Sequence, residues 1–263
     1  MRNIYILLLL TFGLGQDCSL NFDGENDYVE SNANPIFNSS QASIYLQFST
    51  TDNSADSDGD LHAIFSTYGS NSLIEIGTKD GYLGYWVRDN QDVSYYGTEL
   101  CNKFIADGEV HDFGMIVDFQ NDKIKVFVDD DSCEYDFNSS TSYIVIDEQL
   151  NLARENNSHG NYYNGNISAV AAWATDVDFG IEGYDYTSYG PNNDGSTLIM
   201  DHIIMLYTFD ECGGDTLYDS SEHSQDSVDG TINGANWVEN IYGCTDELAC
   251  NYNPEANWDD DSC

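Results

Sequence analysis

The sequence predicts an all-β protein, an antiparallel β-sandwich, and three observations carry that prediction. Apolar and polar residues alternate with a period of two over many short runs. Gly, Asn and Asp punctuate those runs at short intervals. No stretch sustains a helical period, and 263 residues suffice for one sandwich core.

Residues 1–15 stand apart from that pattern. Arg2 precedes an apolar run from Ile4 to Phe12, and Gly13-Leu14-Gly15 supplies small residues at −3 and −1. This is the layout of a secretory signal, too short to span a membrane, with cleavage expected before Gln16. No later apolar run is long enough to cross a bilayer as a helix, so no membrane insertion is expected.

The sandwich opens at Leu20-Asn21-Phe22, turns through Asp23-Gly24, and resumes at Tyr28-Val29. Asp23, Glu25, Asp27 and Glu30 crowd this hairpin, a set able to hold a hard cation or simply to solvate a turn. Ile44 to Phe48 alternates as a strand. The acidic loop at 51–60 is not an EF-hand: aligned on Gly59, the required acids fall on Ser54 and Phe65. Further strands are expected at Leu61–Ser66, Leu73–Ile76, Tyr82–Arg88 and Val93–Tyr96. Val110–Phe119 and Lys123–Val128 form a hairpin over Gln120-Asn121-Asp122, with His111, Phe113, Met115, Val117 and Phe119 on one face. Cys101 and Cys133 flank this pair, so a bridge between them would staple its open end. Ser142–Ile146, Leu150–Ala153 and Asn166–Ala174 continue the pattern, with Ile167, Ala169, Ala171 and Trp173 expected inward. A long Tyr/Gly/Asn/Asp loop follows at 184–195, and Ile203–Phe209 returns to strand.

Seven cysteines in an exported chain point to disulfides rather than thiol chemistry. Four are spread through the body; Cys244, Cys250 and Cys263 crowd the C-terminus, which suggests two units. The formal charge of −40, from 47 acidic and 7 basic residues, argues against nucleic acid and anionic membranes as partners. A salt-rich or calcium-rich exterior would screen the repulsion, and a halotolerant source would account for the composition without any functional role.

Several motifs together resemble the laminin-G-like domains of the concanavalin A-like jelly rolls. They are Phe22-Asp23-Gly24 with Asp27-Tyr28-Val29, Asp107-Gly108-Glu109-Val110-His111, and Phe127-Val128-Asp129-Asp130. Leu150 to Arg154, Tyr163 to Ile167 and Val170 to Trp173 resemble the closing strands. Val110 stands where Trp is usual, Asp130 where Gly is usual, and Ser168-Ala169 where the family carries an acidic pair. A segment usually found before the opening strand follows the last one here: Met205 to Asp210, Asp215 to Ser221 and Asp229 to Ala235. The resemblance implies that residues 203–238 fold back to complete a single domain at 16–240; the rival reading is an unfinished second domain. Folding back would bring Cys18 to Cys212, a bridge contributing roughly 4–5 kcal/mol on the chain-entropy model. Any Ca2+ site would then draw on Asp23 or Asp27 facing Asp219 or Asp229, with the Ser168 position lacking its acid.

Residues 243–263 resemble a short cysteine repeat found near the ends of exported proteins, notably of marine bacteria. So small and irregular a unit needs a staple, most simply Cys244–Cys263, which leaves Cys250 without a partner. The repeat is expected to be truncated after Cys263.

Catalytic signatures are missing. Retaining glucanases of this fold class carry a Glu-x-Asp-x-x-Glu strand with carboxylates about 5 Å apart. Glu75-Ile76-Gly77 and Ile146-Asp147-Glu148 do not meet that spacing. The histidines form no local metal motif, His111 reads as a structural strand residue, and no Ser or Cys sits in a nucleophile elbow. The expectation is therefore a secreted or cell-surface, non-catalytic binding or adhesion module for an extracellular glycan, with calcium assistance open, or for a surface protein. The candidate stacking residues are Trp86, Tyr95, Tyr96, Tyr162, Tyr163, Tyr184, Tyr186 and Tyr189. A glycan-active hydrolase or lyase, and a structural display or stalk domain binding protein, are the alternatives.

Overall fold

The alternating runs become strands because each can bury one face, and the computed structural model pairs them into two sheets. It describes residues 18–33, 37–54, 60–67, 72–137, 144–146, 149–155, 161–174, 203–221, 228–259 and 262–263. The expected signal at 1–15 and the Tyr-rich loop at 184–195 lie outside them.

In chain order the strands are β1 (Cys18–Asp23), β2 (Tyr28–Ser31), β3 (Phe37–Ser39), β4 (Gln41–Ser49), β5 (His62–Ser66), β6 (Leu73–Lys79) and β7 (Tyr82–Arg88). There follow β8 (Ser94–Gly97), β9 (Val110–Asp118), β10 (Lys123–Val128), β11 (Asp131–Asp136), β12 (Ile144–Ile146), β13 (Asn151–Leu152) and β14 (Asn164–Trp173). The last are β15 (Ile203–Tyr207), β16 (Thr216–Leu217), β17 (Gly230–Asn233), β18 (Asn236–Glu239), β19 (Tyr242–Gly243) and β20 (Trp258–Asp259). One sheet runs β11-β10-β9-β4-β14-β1-β18, with β15 also on β14; the other runs β16-β17-β2-β13-β5-β6-β7-β8. We call them the first and the second sheet. All their pairings are antiparallel.

The core lies between the sheets. Leu20, Phe22, Ile44, Leu46, Phe48, Phe113, Met115 and Val117 face it from the first sheet; Val29, Phe65, Ile74, Ile76, Tyr85, Val87 and Leu152 face it from the second. Each such side chain contributes roughly 1.5–3 kcal/mol of hydrophobic stabilisation.

The late segment completes both sheets. β17 pairs with β2 in the register Ile232↔Val29, and β18 pairs with β1 in the register Trp237↔Leu20. Cys18 is bonded to Cys212 across 194 residues of chain, Cys101 to Cys133, and Cys244 to Cys263. Such a disulfide set belongs to an oxidising compartment. In the C-terminal unit β19 and β20 pair in parallel, and Asn257 binds the Ile241 N–H and the Glu239 carbonyl. The thiol of Cys250 is free and exposed.

One facing expectation is corrected. A β-bulge between Ile167 and Ala169 shifts the parity of β14. Ile167, Val170 and Ala172 face the core, whereas Ala169, Ala171 and Trp173 turn to the outer face of the first sheet. There they join Tyr45, Ile116, Phe127 and Ile203 in a second, nearly fully buried apolar cluster. The bulged residue is Ser168, whose hydroxyl donates to Gln47 Oε1 at 3.0 Å.

The family-like motif around His111 is a structural clamp. Its Nε2 meets Asp107 Oδ1 at 3.0 Å and its Nδ1 meets Asp129 Oδ2 at 2.9 Å, joining the loop before β9 to the β10–β11 turn. Burial alone would lower the imidazole pKa; hydrogen bonds and charge from Asp129, then Asp107, outweigh it and raise it. Asp112, beside the clamp, accepts from Tyr45 Oη and Gln47 Nε2. Burial pushes its carboxyl up to about 6, against the pull of those bonds.

Candidate functional site on the outer face of the second sheet

Side chains on successive strands at matching register form rows, and one row crosses the whole second sheet. Cα pairing links Thr216, Thr231, Glu30, Asn151, Ser66, Glu75, Trp86 and Tyr96 in that order. Neighbours along each strand (Leu217, Val29, Leu152, Phe65, Ile74, Val87, Tyr95) pack inward, so this row points outward by strand alternation. Eight strands at about 4.8 Å spacing make the row roughly 34 Å long.

The two halves of the row differ. Near its middle Arg154 holds the first half closed: its guanidinium donates to Glu30 Oε2 at 2.6 Å and to Asn151 Oδ1, and lies 3.5 Å from the centre of the Tyr28 ring. In the other half the row borders a recess of about 90 Å³ lined by Asp60, Leu61, Glu75, Lys79, Tyr85, Trp86, Tyr96, Thr98 and Glu155. Leu61 walls it because Gly77 and Gly84 leave room; a Cβ on either would sit within 3 Å of the Leu61 side chain.

Trp86 and Tyr96 are stacked, with centroids 5.5 Å apart and planes 20° from parallel. Trp86 Nε1 donates to Ser94 Oγ, fixing the indole, and Tyr96 is 65% exposed. Beside them Glu75 is only 3% exposed. Its Oε2 is buried with no hydrogen-bond partner among the described residues, and Ser66 Oγ next to it in the row is in the same condition. Glu155, also buried, accepts from Asn161 Nδ2 at 2.8 Å. Burial first, then the charges of Glu155 and Asp60, pushes the Glu75 carboxyl up to about 8. A buried carboxyl oxygen with its acceptor capacity unused beside an aromatic platform is set to meet a ligand's donors.

Of the eight aromatic candidates, Trp86 and Tyr96 fall in this site. Tyr163 is corrected: it is fully buried and its hydroxyl donates to the Ser49 carbonyl at 2.8 Å. Tyr95 is corrected too: it packs inward against Phe119 and Phe137 and donates to Asp89 Oδ2. Tyr162 is half-buried alongside β5 and does not line the recess. Tyr184, Tyr186 and Tyr189 lie outside the described residues.

The four proposed calcium ligands do not converge. Asp23 Oδ1 accepts the N–H groups of Glu25 and Asn26, and Asp27 Oδ2 accepts that of Asp23, closing the opening turn. Gly234, at φ +84°, gives Asp27 room that a Cβ would fill. Asp219 accepts from Leu206, Ser221 and Val228, while Asp229 Oδ1 accepts the Asp219 N–H. The β2–β17 ladder separates the two pairs, since Asn233 is level with Tyr28 and the Asp229 carbonyl binds Asn32. Asp23 and Asp27 therefore do not face Asp219 and Asp229, and one oxygen of each of Asp23, Asp27 and Asp229, and both of Asp219, accept backbone N–H groups. Among the described residues no group of three or more His, Cys, Asp or Glu is placed to hold a metal. The residues present do not fit the calcium ion that the sequence motifs implied.

The sequence nominated neither Glu75 nor Ser66, Glu155 or Arg154. The signal for Glu75 was its lone acid in the run Leu73-Ile74-Glu75-Ile76, a charge in a strand buried on both sides.

No protein-family profile matches the chain, and no curated protein does. Solved structures share its fold at low identity. A candidate carbohydrate-binding protein from Bacteroides ovatus superposes with a TM-score of 0.58 at 16% identity, covering 85% of this chain and 60% of its own. The SAP-like pentraxin of Limulus polyphemus does so with a TM-score of 0.50 at 12% identity, covering 64% of this chain and 81% of its own. The likeness is one of fold: an antiparallel jelly-roll sandwich.

Proposed function

We propose that the protein is a secreted or cell-surface, non-catalytic glycan-binding module, and that the open half of the second-sheet row is its binding site. One observation carries this reading: the stack of half-buried Trp86 and exposed Tyr96 stands beside buried Glu75, whose Oε2 meets no partner among the described residues. A sugar ring offers an apolar face to the aromatic pair and hydroxyls to the carboxyl, which is the division of labour of a carbohydrate site. The Bacteroides ovatus protein of similar fold is itself a candidate carbohydrate-binding protein, which agrees with the reading. The three disulfides agree with an extracellular setting.

The test is a glycan array run with the wild type, Trp86→Ala and Tyr96→Ala, each with calcium and with chelator. Binding is expected to depend on both aromatics and to survive chelation. Hits untouched by either substitution would move the site elsewhere. A second reading rests on Glu75 and Glu155, since a raised carboxyl near an ionised one is the pattern of an acid and its partner in glycoside hydrolysis. Release of reducing ends from an array hit would replace binding with that activity.

A further inference from the structure

We propose that the recess takes the protonated amine of an amino sugar, with Glu75 and Glu155 as its carboxylate partners and the Trp86–Tyr96 pair as its ring platform. The inference rests on the glycan-binding reading and narrows it to a ligand class. Among the described residues three carboxyl-bearing side chains, Asp60, Glu75 and Glu155, line the recess against one ammonium, that of Lys79. Glu75 is 3% exposed, and its Oε2 has no partner among the described residues. A hydroxyl would bring it one donor. An ammonium brings three donors and a positive charge, which satisfies the unmet acceptor and offsets the repulsion among the acids. The faces of Trp86 and Tyr96 attract a cation as well as an apolar ring. The raised Glu75 carboxyl adds a consequence: the free site is neutral at that position near pH 7, and an arriving cation displaces its proton to solvent. The titratable groups that line the recess with Glu75 are Asp60 before β5, Lys79 on β6, Tyr96 on β8 and Glu155 after β13, while the Tyr85 ring on β7 is turned to the core.

The experiment is titration calorimetry of the whole protein with three oligosaccharides of equal length: glucosamine, N-acetylglucosamine and glucose oligomers. At a pH where the amine is protonated, the glucosamine oligomer is expected to bind about tenfold or more tightly than the other two. Glu75→Gln and Glu155→Gln should each erase the preference while leaving residual binding, and Trp86→Ala should weaken all three ligands. Two substitutions guard against a variant that does not fold, and the wild-type ligand ranking needs neither. Equal binding of the three oligomers, or a preference that survives both Gln variants, overturns the inference. So does equally tight binding of spermine that ignores Trp86→Ala, because attraction to the net charge of −40 would then explain the ranking. The two readings fail differently. Neutral oligomers bound through Trp86 and Tyr96 without preference remove only the amine; no binding by any saccharide removes the glycan site itself.

Discussion

The outer faces of the two sheets place their carboxyls, half-buried Asp112 and buried Glu75, in opposite conditions. On the first sheet Asp112 accepts from Tyr45 and Gln47, Gln47 accepts from Ser168, and apolar neighbours surround the set. On the second sheet Glu75 and Ser66 hold buried oxygens that no described residue meets. Both faces carry polar side chains between strands of good β-forming sequence, so composition does not separate them. Satisfaction does. A closed network rigidifies a fold, whereas an open one carries a desolvation cost of about 1–3 kcal/mol per group until something binds.

The comparison can be broken by experiment. The largest stability effect should come from neither face but from the bond that ties β1 to the connection between β15 and β16. Replacing Cys18 and Cys212 by Ser removes a link across 194 residues and is expected to cost roughly 4–5 kcal/mol in denaturant unfolding. A loss below about 1 kcal/mol would mean that strand pairing alone holds the late segment.

Next, His111→Ala should cost about 2–3 kcal/mol, because Asp107 and Asp129 lose their shared partner, and should leave glycan binding unchanged. The folded imidazole pKa lies above its ordinary 6.5. Its contribution is therefore full below that value and is lost as pH rises through the folded pKa. The variant's deficit should shrink accordingly with rising pH; a deficit that grows instead contradicts the clamp.

Glu75→Gln should behave in the opposite sense. The carboxyl rises from an ordinary 4.5 to about 8, so burying it is harmless below 4.5 and increasingly costly up to about 8. The variant should gain on the wild type across that window, by several kcal/mol at most, while losing ligand affinity. A Gln variant that is less stable at pH 8 and binds as before would place Glu75 in a closed network like that of Asp112.

The smallest stability change is expected from Tyr96→Ala, within about 0.5 kcal/mol, because the ring is 65% exposed. Its affinity loss should still be about tenfold, read by the same titration.

Much of the fold was legible in the sequence because strand alternation is local. Leu20 with Phe22, Ile44 with Leu46, and Phe113 with Met115 announce their buried face within three residues. The return of the late segment was legible from its order of motifs, and with it the Cys18–Cys212 bond; Cys101–Cys133 followed from flanking a hairpin and Cys244–Cys263 from a unit too small to hold without a staple. The bulge at Ser168 was not, since one inserted residue inverts every later facing without altering the alternation itself. The site was least legible. Its row takes one side chain from each of eight strands, and only the pairing registers put Glu30 beside Asn151 or Glu75 beside Trp86. Trp86 and Tyr96 could be nominated by type. Tyr163 and Tyr95 are the same type with the opposite facing, and composition cannot tell them apart.

The outermost strand of the first sheet, β11, has a consequence for coexistence with other copies of the chain. Its free edge would offer unpaired backbone groups to any passing strand. It reads Asp131-Ser132-Cys133-Glu134-Tyr135-Asp136, so a second copy approaching in register would bring acid onto acid, while the bridge from Cys133 to Cys101 ties the strand to the β8–β9 connection. On the opposite margin of the other sheet, β16 is two residues long and gives little to grip. The acidity that first suggested adaptation to salt thus also guards an edge against polymerisation, and the guard should weaken as ionic strength rises.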